Sequence, residues 1–285
     1  MQNQRAYGLA VTLLGVAFFF PDALIVRLVG ADMMTVAVWR GLAAAGVTLA
    51  VVAFLPRVWS SWRDLLSWPA LAMAALQGLG SVFFLGSLGQ TSAANALLIL
   101  ATAPFLAALL SWLALGERID RATVLAIAAV FAGVAIIGSG SIGGGTLLGD
   151  GLALANAVTL AGYYVVLRKV PERNMIVPIA LGYLVTSAIA FPLAPMEPLS
   201  LQQAGLILLS GGVILAGGVA LLMLGPRYLP AAEVSMITML EIVVGPLLVW
   251  AVLGEAPPGQ SLIGGAVIVL AILAHAWVQL TATRD

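Results

Sequence analysis

The stretch LLSWPALAMAALQGLGSVFFLGSLGQTSAANALLILATAPFLAALLSWLALG, from Leu65 to Gly116, contains no Asp, Glu, Lys or Arg. A helix rises about 1.5 Å per residue and needs roughly 20 apolar residues to cross a bilayer. This one run is therefore long enough for two crossings, with the turn expected across Gly86-Ser-Leu-Gly89-Gln-Thr-Ser92. Further charge-free runs lie on its C-terminal side, from Ala122 to Gly149, Asn174 to Met196 and Pro198 to Pro226. Short segments alternating apolar and polar would mark a membrane β-barrel, and the runs lack that alternation. The fold expected is an all-α integral membrane bundle.

Composition agrees. Charged residues make up 8% of the chain and apolar ones 62%, too little charge to cover the surface of a soluble domain of 285 residues. The formal net charge of zero gives no reason to expect nucleic acid as a partner. With no cysteine, disulfides, thiolate catalysis and Cys-ligated metal are excluded. The N-terminal apolar run lacks a small-x-small cleavage signature and reads as the first membrane helix.

Turn residues and charges divide the chain into ten spans, at about 6–29, 33–55, 69–90, 92–115, 121–139, 149–170, 176–194, 202–225, 231–253 and 258–280. The Gly-rich segment from Gly138 to Gly145 separates residues 1–140 from 141–285, five helices on each side. Placing the N-terminus inside gathers Arg5, Arg57, Arg63, Arg118, Arg121, Arg168, Lys169, Arg173, Arg227 and Arg284 on one face. Only Arg27, expected to snorkel outward, and Arg40 fall elsewhere. The positive-inside rule then puts both termini in the cytoplasm. An odd helix number per half inverts the second half, and the halves share sequence. The fourth helix ends Trp112-Leu-Ala-Leu-Gly116-Glu117 and the ninth Trp250-Ala-Val-Leu-Gly254-Glu255. Inverted repeats are a common architecture of secondary transporters with alternating access.

These motifs resemble those of the drug/metabolite transporter superfamily, in its ten-helix members with two EamA domains. The stretch Val36-Ala-Val-Trp-Arg40-Gly-Leu-Ala-Ala is similar to the family pattern in the second helix. Pro104 followed by Leu115-Gly116-Glu117-Arg118-Ile119 and Gly133 matches the fourth and fifth, and Leu240-Glu241 with Leu253-Gly254-Glu255 the second repeat. Ile242 stands where a proline often follows the glutamate, a departure from the pattern. Within the family the chain is most similar to the YddG-type amino-acid exporters. The resemblance implies a basket of helices around a central cavity and movement of small metabolites, often outward, across a bacterial inner membrane.

Polar side chains inside a bilayer are costly, so their positions carry information. Gln77, Ser81 and Phe84 are spaced to share one face of the third helix; Asn156, Thr159 and Tyr163 do so in the sixth. Ser235, Thr238 and Glu241 run along the ninth, and Thr102 lies near mid-depth in the fourth. Such hydroxyls, amides and aromatic walls suit a zwitterionic ligand, whereas ordinary interhelical hydrogen bonding is the alternative for each Ser or Thr. Glu241 is the sharpest of them, since a carboxylate at a helix centre costs about 2.5–3.5 kcal/mol. Proton coupling, an anchor for a substrate ammonium and a structural hydrogen bonder all fit it. Asp22 and Arg40, at similar depth on consecutive helices, read as an ion pair or gate. Glu117 and Glu255 fall at turns, and the sole histidine, His275, reads as structural. Pro21, Pro104, Pro192 and Pro246 are candidate kinks, and Trp59, Trp62 and Trp68 interfacial anchors. Ala129-x-x-x-Gly133 and Gly212-x-x-x-Ala216 permit close packing, the first of them a dimer contact.

The expected partners are a small-molecule substrate and membrane lipid, with the chain a monomer or homodimer. No cofactor or metal site is expected, and Gly143-Gly-Gly145 lacks the Lys-Ser/Thr of a nucleotide-binding loop. An intramembrane hydrolase would need a Ser–His pair or paired aspartates at one depth, which the single His275 and the isolated Asp22 do not supply. The competing transport reading is export of nucleosides or cationic drugs. A non-transporting assembly subunit would show longer partner-binding loops than this chain has.

Overall fold

A computed structural model describes residues 2–54, 65–91, 93–117, 119–139, 146–254 and 259–282, apart from the side chains at 2, 3, 23, 88, 93–95, 246, 249, 280 and 282. The Gly-rich linker beyond Ser139 lies outside the described residues, as do Arg57, Trp59, Trp62, Arg63, Arg118, Glu255 and Arg284.

Among the described residues, ten helical spans are long and apolar enough to cross a membrane. They are α1 (Gln4–Val29), α2 (Met33–Phe54), α3 (Trp68–Ser87), α4 (Ala96–Leu115), α5 (Arg121–Gly138), α6 (Leu147–Lys169), α7 (Ile176–Leu193), α8 (Leu201–Arg227), α9 (Ala231–Leu253) and α10 (Gly259–Gln279). The charge-free run does hold two of them. Its turn begins later than expected: the helix containing α3 continues to Gln90, and Thr91 is extended, with φ −135° and ψ 166°.

Local chemistry sets several ends. The Asp120 carboxylate accepts a hydrogen bond from Thr123 N and caps α5, as Thr146 caps α6 through Gly149 N. Ser200 and Gln203 form a capping box at the start of α8. Gly116 and Gly254 close α4 and α9 in left-handed conformations, φ 70° and 73°, which a side chain would resist. The repeated Leu-Gly-Glu is thus a matched C-terminal stop.

The major pairings are α5 with α10, α3 with α6, α3 with α7, α2 with α7, α4 with α6, α4 with α9, α1 with α8 and α2 with α8. Advance each helix number by five, cyclically, and seven of these eight pairs map onto one another or onto themselves. α3–α6 becomes α8–α1, α3–α7 becomes α8–α2, and α4–α6 becomes α9–α1, also in contact. The pairs α2–α7, α4–α9 and α5–α10 map onto themselves.

The close crossing of α5 on α10 rests on two glycines. A Cβ at Gly133 would stand 2.8 Å from the Gly264 carbonyl oxygen, and one at Gly264 would collide with that of Gly133. The Ala129-x-x-x-Gly133 stripe, read as a dimer contact, therefore serves packing within the chain. Gly212 similarly faces Val47 of α2.

Three spans are discontinuous. α1 breaks at Phe20–Pro21, α4 at Ala101–Thr102 and α9 at Met239. Pro104 has no N–H to offer the Leu100 carbonyl, which explains the second break. The third needs no proline: Ile242 N donates to Met239 O, tightening the turn. Pairing Trp112 with Trp250 and Glu117 with Glu255 superimposes the α4 and α9 breaks. Pro246 leaves the helix from Leu240 to Leu253 uninterrupted, and Pro192 sits in the 3-10 turn ending α7.

Candidate functional site

The break in α1 places Asp22 in the first turn of its second segment, facing α2 and α8. There its carboxylate is buried and forms an ion pair with Arg40 Nη2. α8 winds as a π-helix from Leu209 to Leu215, a local widening often found at functional sites. That segment puts Ser210 Oγ 2.8 Å from Asp22 Oδ1, to which it donates. Gly211 next to it lies directly against the Arg40 carbonyl, an approach no side chain would permit.

Three buried tyrosines link this pair to Glu241. Tyr183 of α7 is fully buried within electrostatic reach of Arg40 and Asp22, and its hydroxyl donates a long 3.4 Å bond to Leu215 O. Tyr164 of α6 reaches Thr238 and Glu241 of α9. Tyr163 meets Tyr164 edge to face at 5.4 Å, and its buried hydroxyl has no hydrogen-bond partner. Glu241 opens the second segment of α9, with Asp22 and Arg40 its charged neighbours. Arg40 pairs directly with Asp22, and Glu241 interacts with both only at longer range. With all three ionised the group carries one net negative charge in a poorly hydrated setting, which a cation would offset.

The other expected residues form a second polar group between α3, α6 and α7. Gln77 Nε2 lies 3.4 Å from Ser81 Oγ, and its stem packs on Gly182 of α7. Asn156 and Thr159 flank Gly80 of α3. Thr102 Oγ1 donates to Ile99 O at 2.7 Å, and Thr238 Oγ1 to Ser235 O at 2.6 Å, each at a helix break. The structure thus brings together Asp22, Arg40, Tyr163, Thr238 and Glu241. Gln77, Ser81 and Asn156 belong to the second polar group, on α3 and α6. Phe84 instead packs with an apolar cluster of Ala37, Val38, Leu85 and Ala190. A cavity of about 420 Å³ between α9, α10 and the end of α5 is lined by apolar residues and Ser261, and lacks the polar groups of either cluster.

A third feature escaped the sequence. Arg5 Nη2 donates to both oxygens of Glu233, at 2.8 and 2.7 Å. Glu233 sits in the first turn of α9, where an acid reads as a helix-end charge, and its partner lies 228 residues away. Nearby, Arg168 Nε donates to Glu117 Oε1 at 2.8 Å and Arg168 Nη1 to Pro226 O at 3.1 Å. Glu117 thus ties α4 to α6, a stronger role than loop termination. His275 Nε2 lies 2.9 Å from Thr123 Oγ1, joining α10 to α5. On this Arg168 face the first segment of α9 packs on α4, α6 and α1. On the opposite face the first segment of α4 packs on α3, α5 and α6, and the second segment of α9 on α1 and α10. Among the described residues, the extensive contacts between α9 and the α4–α6 pair are made at the Arg168 end.

A ten-helix bundle with paired helix breaks around a buried charge cluster is the architecture of a membrane carrier. The EamA-like transporter family matches the chain twice, over residues 7–139 and 147–276, and the chain belongs to that family. It is a membrane transporter and not an enzyme. Pseudopaline exporters CntI from two strains of Pseudomonas aeruginosa are each 28% identical over 211 residues, covering 72% of this chain and 74% of theirs. A solved crystal structure, 20% identical, superposes with a TM-score of 0.77 over 98% of this chain and 99% of the other, which shows the fold.

Proposed function

We propose that this protein is a secondary exporter of small zwitterionic metabolites, amino acids foremost, working by alternating access in a bacterial inner membrane. The carrying observation is the cluster of Asp22, Arg40 and Glu241 beside the break in α9, with Tyr163, Tyr164 and Tyr183 as its walls. A zwitterion matches charges of both signs, and the amides and hydroxyls of Gln77, Ser81 and Asn156 add neutral donors and acceptors. Glu241 takes either the substrate ammonium or a proton, so the two compete for one carboxylate.

Residues 1–140 and 141–285 act as inverted repeats, with both termini cytoplasmic and the Arg168 face inward. In that orientation the Arg5–Glu233 and Arg168–Glu117 pairs close the cytoplasmic side, and the site opens outward. The export direction is supported by the relatives named as exporters. The aromatic residues beside Glu241 also suit a cationic drug, which is the second reading.

Counterflow in proteoliposomes tests this with a panel of labelled amino acids and with nucleosides and cationic drugs as controls. Exchange of amino acids is expected. Exchange of nucleosides alone, or of cationic drugs alone, would overturn the substrate class.

A further inference from the structure

The Asp22–Arg40 pair looks structural, but it leaves the guanidinium underused. Arg40 offers five N–H donors in a rigid plane, and it contacts Asp22 through Nη2 alone. Its Nε is buried and has no hydrogen-bond partner. An unpaired buried donor is destabilising, the more so when it belongs to a charged group. A guanidinium serving only as a strut would be expected to engage its fork, because two parallel N–H···O bonds are the favoured geometry with a carboxylate. Asp22 meanwhile has a second partner, the Ser210 hydroxyl, which holds Oδ1 independently of Arg40. One member of the pair is thus anchored elsewhere, and the other has capacity to spare. The Arg40 side chain also keeps 16% of its exposure.

Resting on the zwitterion reading above, we propose that Arg40 is the carboxylate receptor of the transport site and Asp22 its internal stand-in. An entering carboxylate takes the Nε and Nη donors of Arg40, displacing Asp22, which stays bonded to Ser210. Glu241, within electrostatic range of the same guanidinium, disfavours a simple anion and admits a carboxylate whose carrier also bears a cationic group. The substrate class is therefore compounds with a free carboxylate and a nearby ammonium. An amine, an amide or a nucleoside lacks the group that Arg40 selects.

The test uses the purified full chain in proteoliposomes loaded with L-phenylalanine or L-leucine. Labelled acid is exchanged against the unlabelled acid, its amide or its decarboxylated amine. In the wild type the amide and amine are expected to compete at least about 10-fold less well than the acid, the factor for one charge-assisted hydrogen bond. Arg40→Gln removes that discrimination. Asp22→Asn weakens the stand-in, so KM for the acid falls, by about 10-fold, while kcat falls or holds. Equal competition by amide or amine in the wild type overturns the proposal. A KM that rises in Asp22→Asn, as it does in Arg40→Gln, also overturns it, since a purely structural pair predicts losses of one sign. Exchange of amines without the acids would sink the role of Arg40 while sparing transport. Exchange of nucleosides without either amino acid would sink the substrate class along with it.

Discussion

Replacing Glu233 by Gln should unlock the Arg168 face of the transporter. Glu233 is 3% exposed and its partner Arg5 18%, with both carboxylate oxygens engaged at 2.7 and 2.8 Å. Removing one member of a fully buried pair costs about 3–5 kcal/mol. The partly wet guanidinium lowers that to about 2–3 kcal/mol, since water can take over some of its donors. If the pair opens when the α1–α9 contact separates, the whole of that energy is withdrawn from the closed state. The open fraction then rises about 30- to 150-fold, at tenfold per 1.4 kcal/mol. The assay is simple because the chain has no native cysteine. Ser235 lies two residues beyond Glu233, is 0% exposed and has an unpartnered hydroxyl, so a cysteine there is a conservative reporter. In the Ser235→Cys protein a water-soluble methanethiosulfonate should react slowly, and in the Glu233→Gln, Ser235→Cys protein faster by the factor above. Equal rates in two proteins with the same thermal unfolding midpoint would refute the closure assigned to this pair. A faster rate accompanied by a large drop in that midpoint would refute it too, by pointing to general unfolding.

Three further outcomes are expected. Gly264→Val places a side chain against the Gly133 carbonyl, so α5 and α10 must separate, lowering the thermal midpoint by the equivalent of at least about 1–3 kcal/mol; an unchanged midpoint would contradict the crossing. At Asp120, burial raises the carboxyl pKa, but hydrogen bonds from Thr123 and Gln279 outweigh it and hold it below its ordinary 3.8. A depressed folded pKa means the cap stabilises fully above 3.8 and loses its contribution as pH falls further, so Asp120→Ala should cost about 1 kcal/mol at neutral pH and progressively less in strong acid. A thermal-melt series with pH reads both arms. Glu241→Gln should abolish the pH dependence of counterflow and raise KM for zwitterions by about 10-fold or more, as loss of a charged contact does; full, equally pH-dependent transport would remove Glu241 from the mechanism.

Much of this architecture is legible in one dimension because lipid constrains a chain residue by residue. Every span must be apolar and long enough, and every interruption must be polar, glycine or proline. The ten spans, the matched Leu-Gly-Glu stops and the proximity of Asp22 and Arg40 follow from those local rules. Consecutive helices joined by the short turn around Gly30 leave their charged residues little choice of partner.

Longer connections obey no such rule. That Arg5 meets Glu233, that Gly133 meets Gly264 rather than a second protomer, and that Asn156 lies beside Gly80 depend on which helices become neighbours in three dimensions. The break in α9 was obscured because Ile242 carries an N–H, and only its bond to Met239 O shows that the turn tightens without proline. Phe84 shares a helical face with Gln77 by spacing, yet it joins an apolar cluster, since α2 and α7 cross α3 at that level. The number and approximate length of the helices are written along the chain, because the bilayer acts on each segment separately. Which distant buried charges pair is set by how the helices pack, because Coulomb energy depends on distance through space and takes no account of separation along the chain.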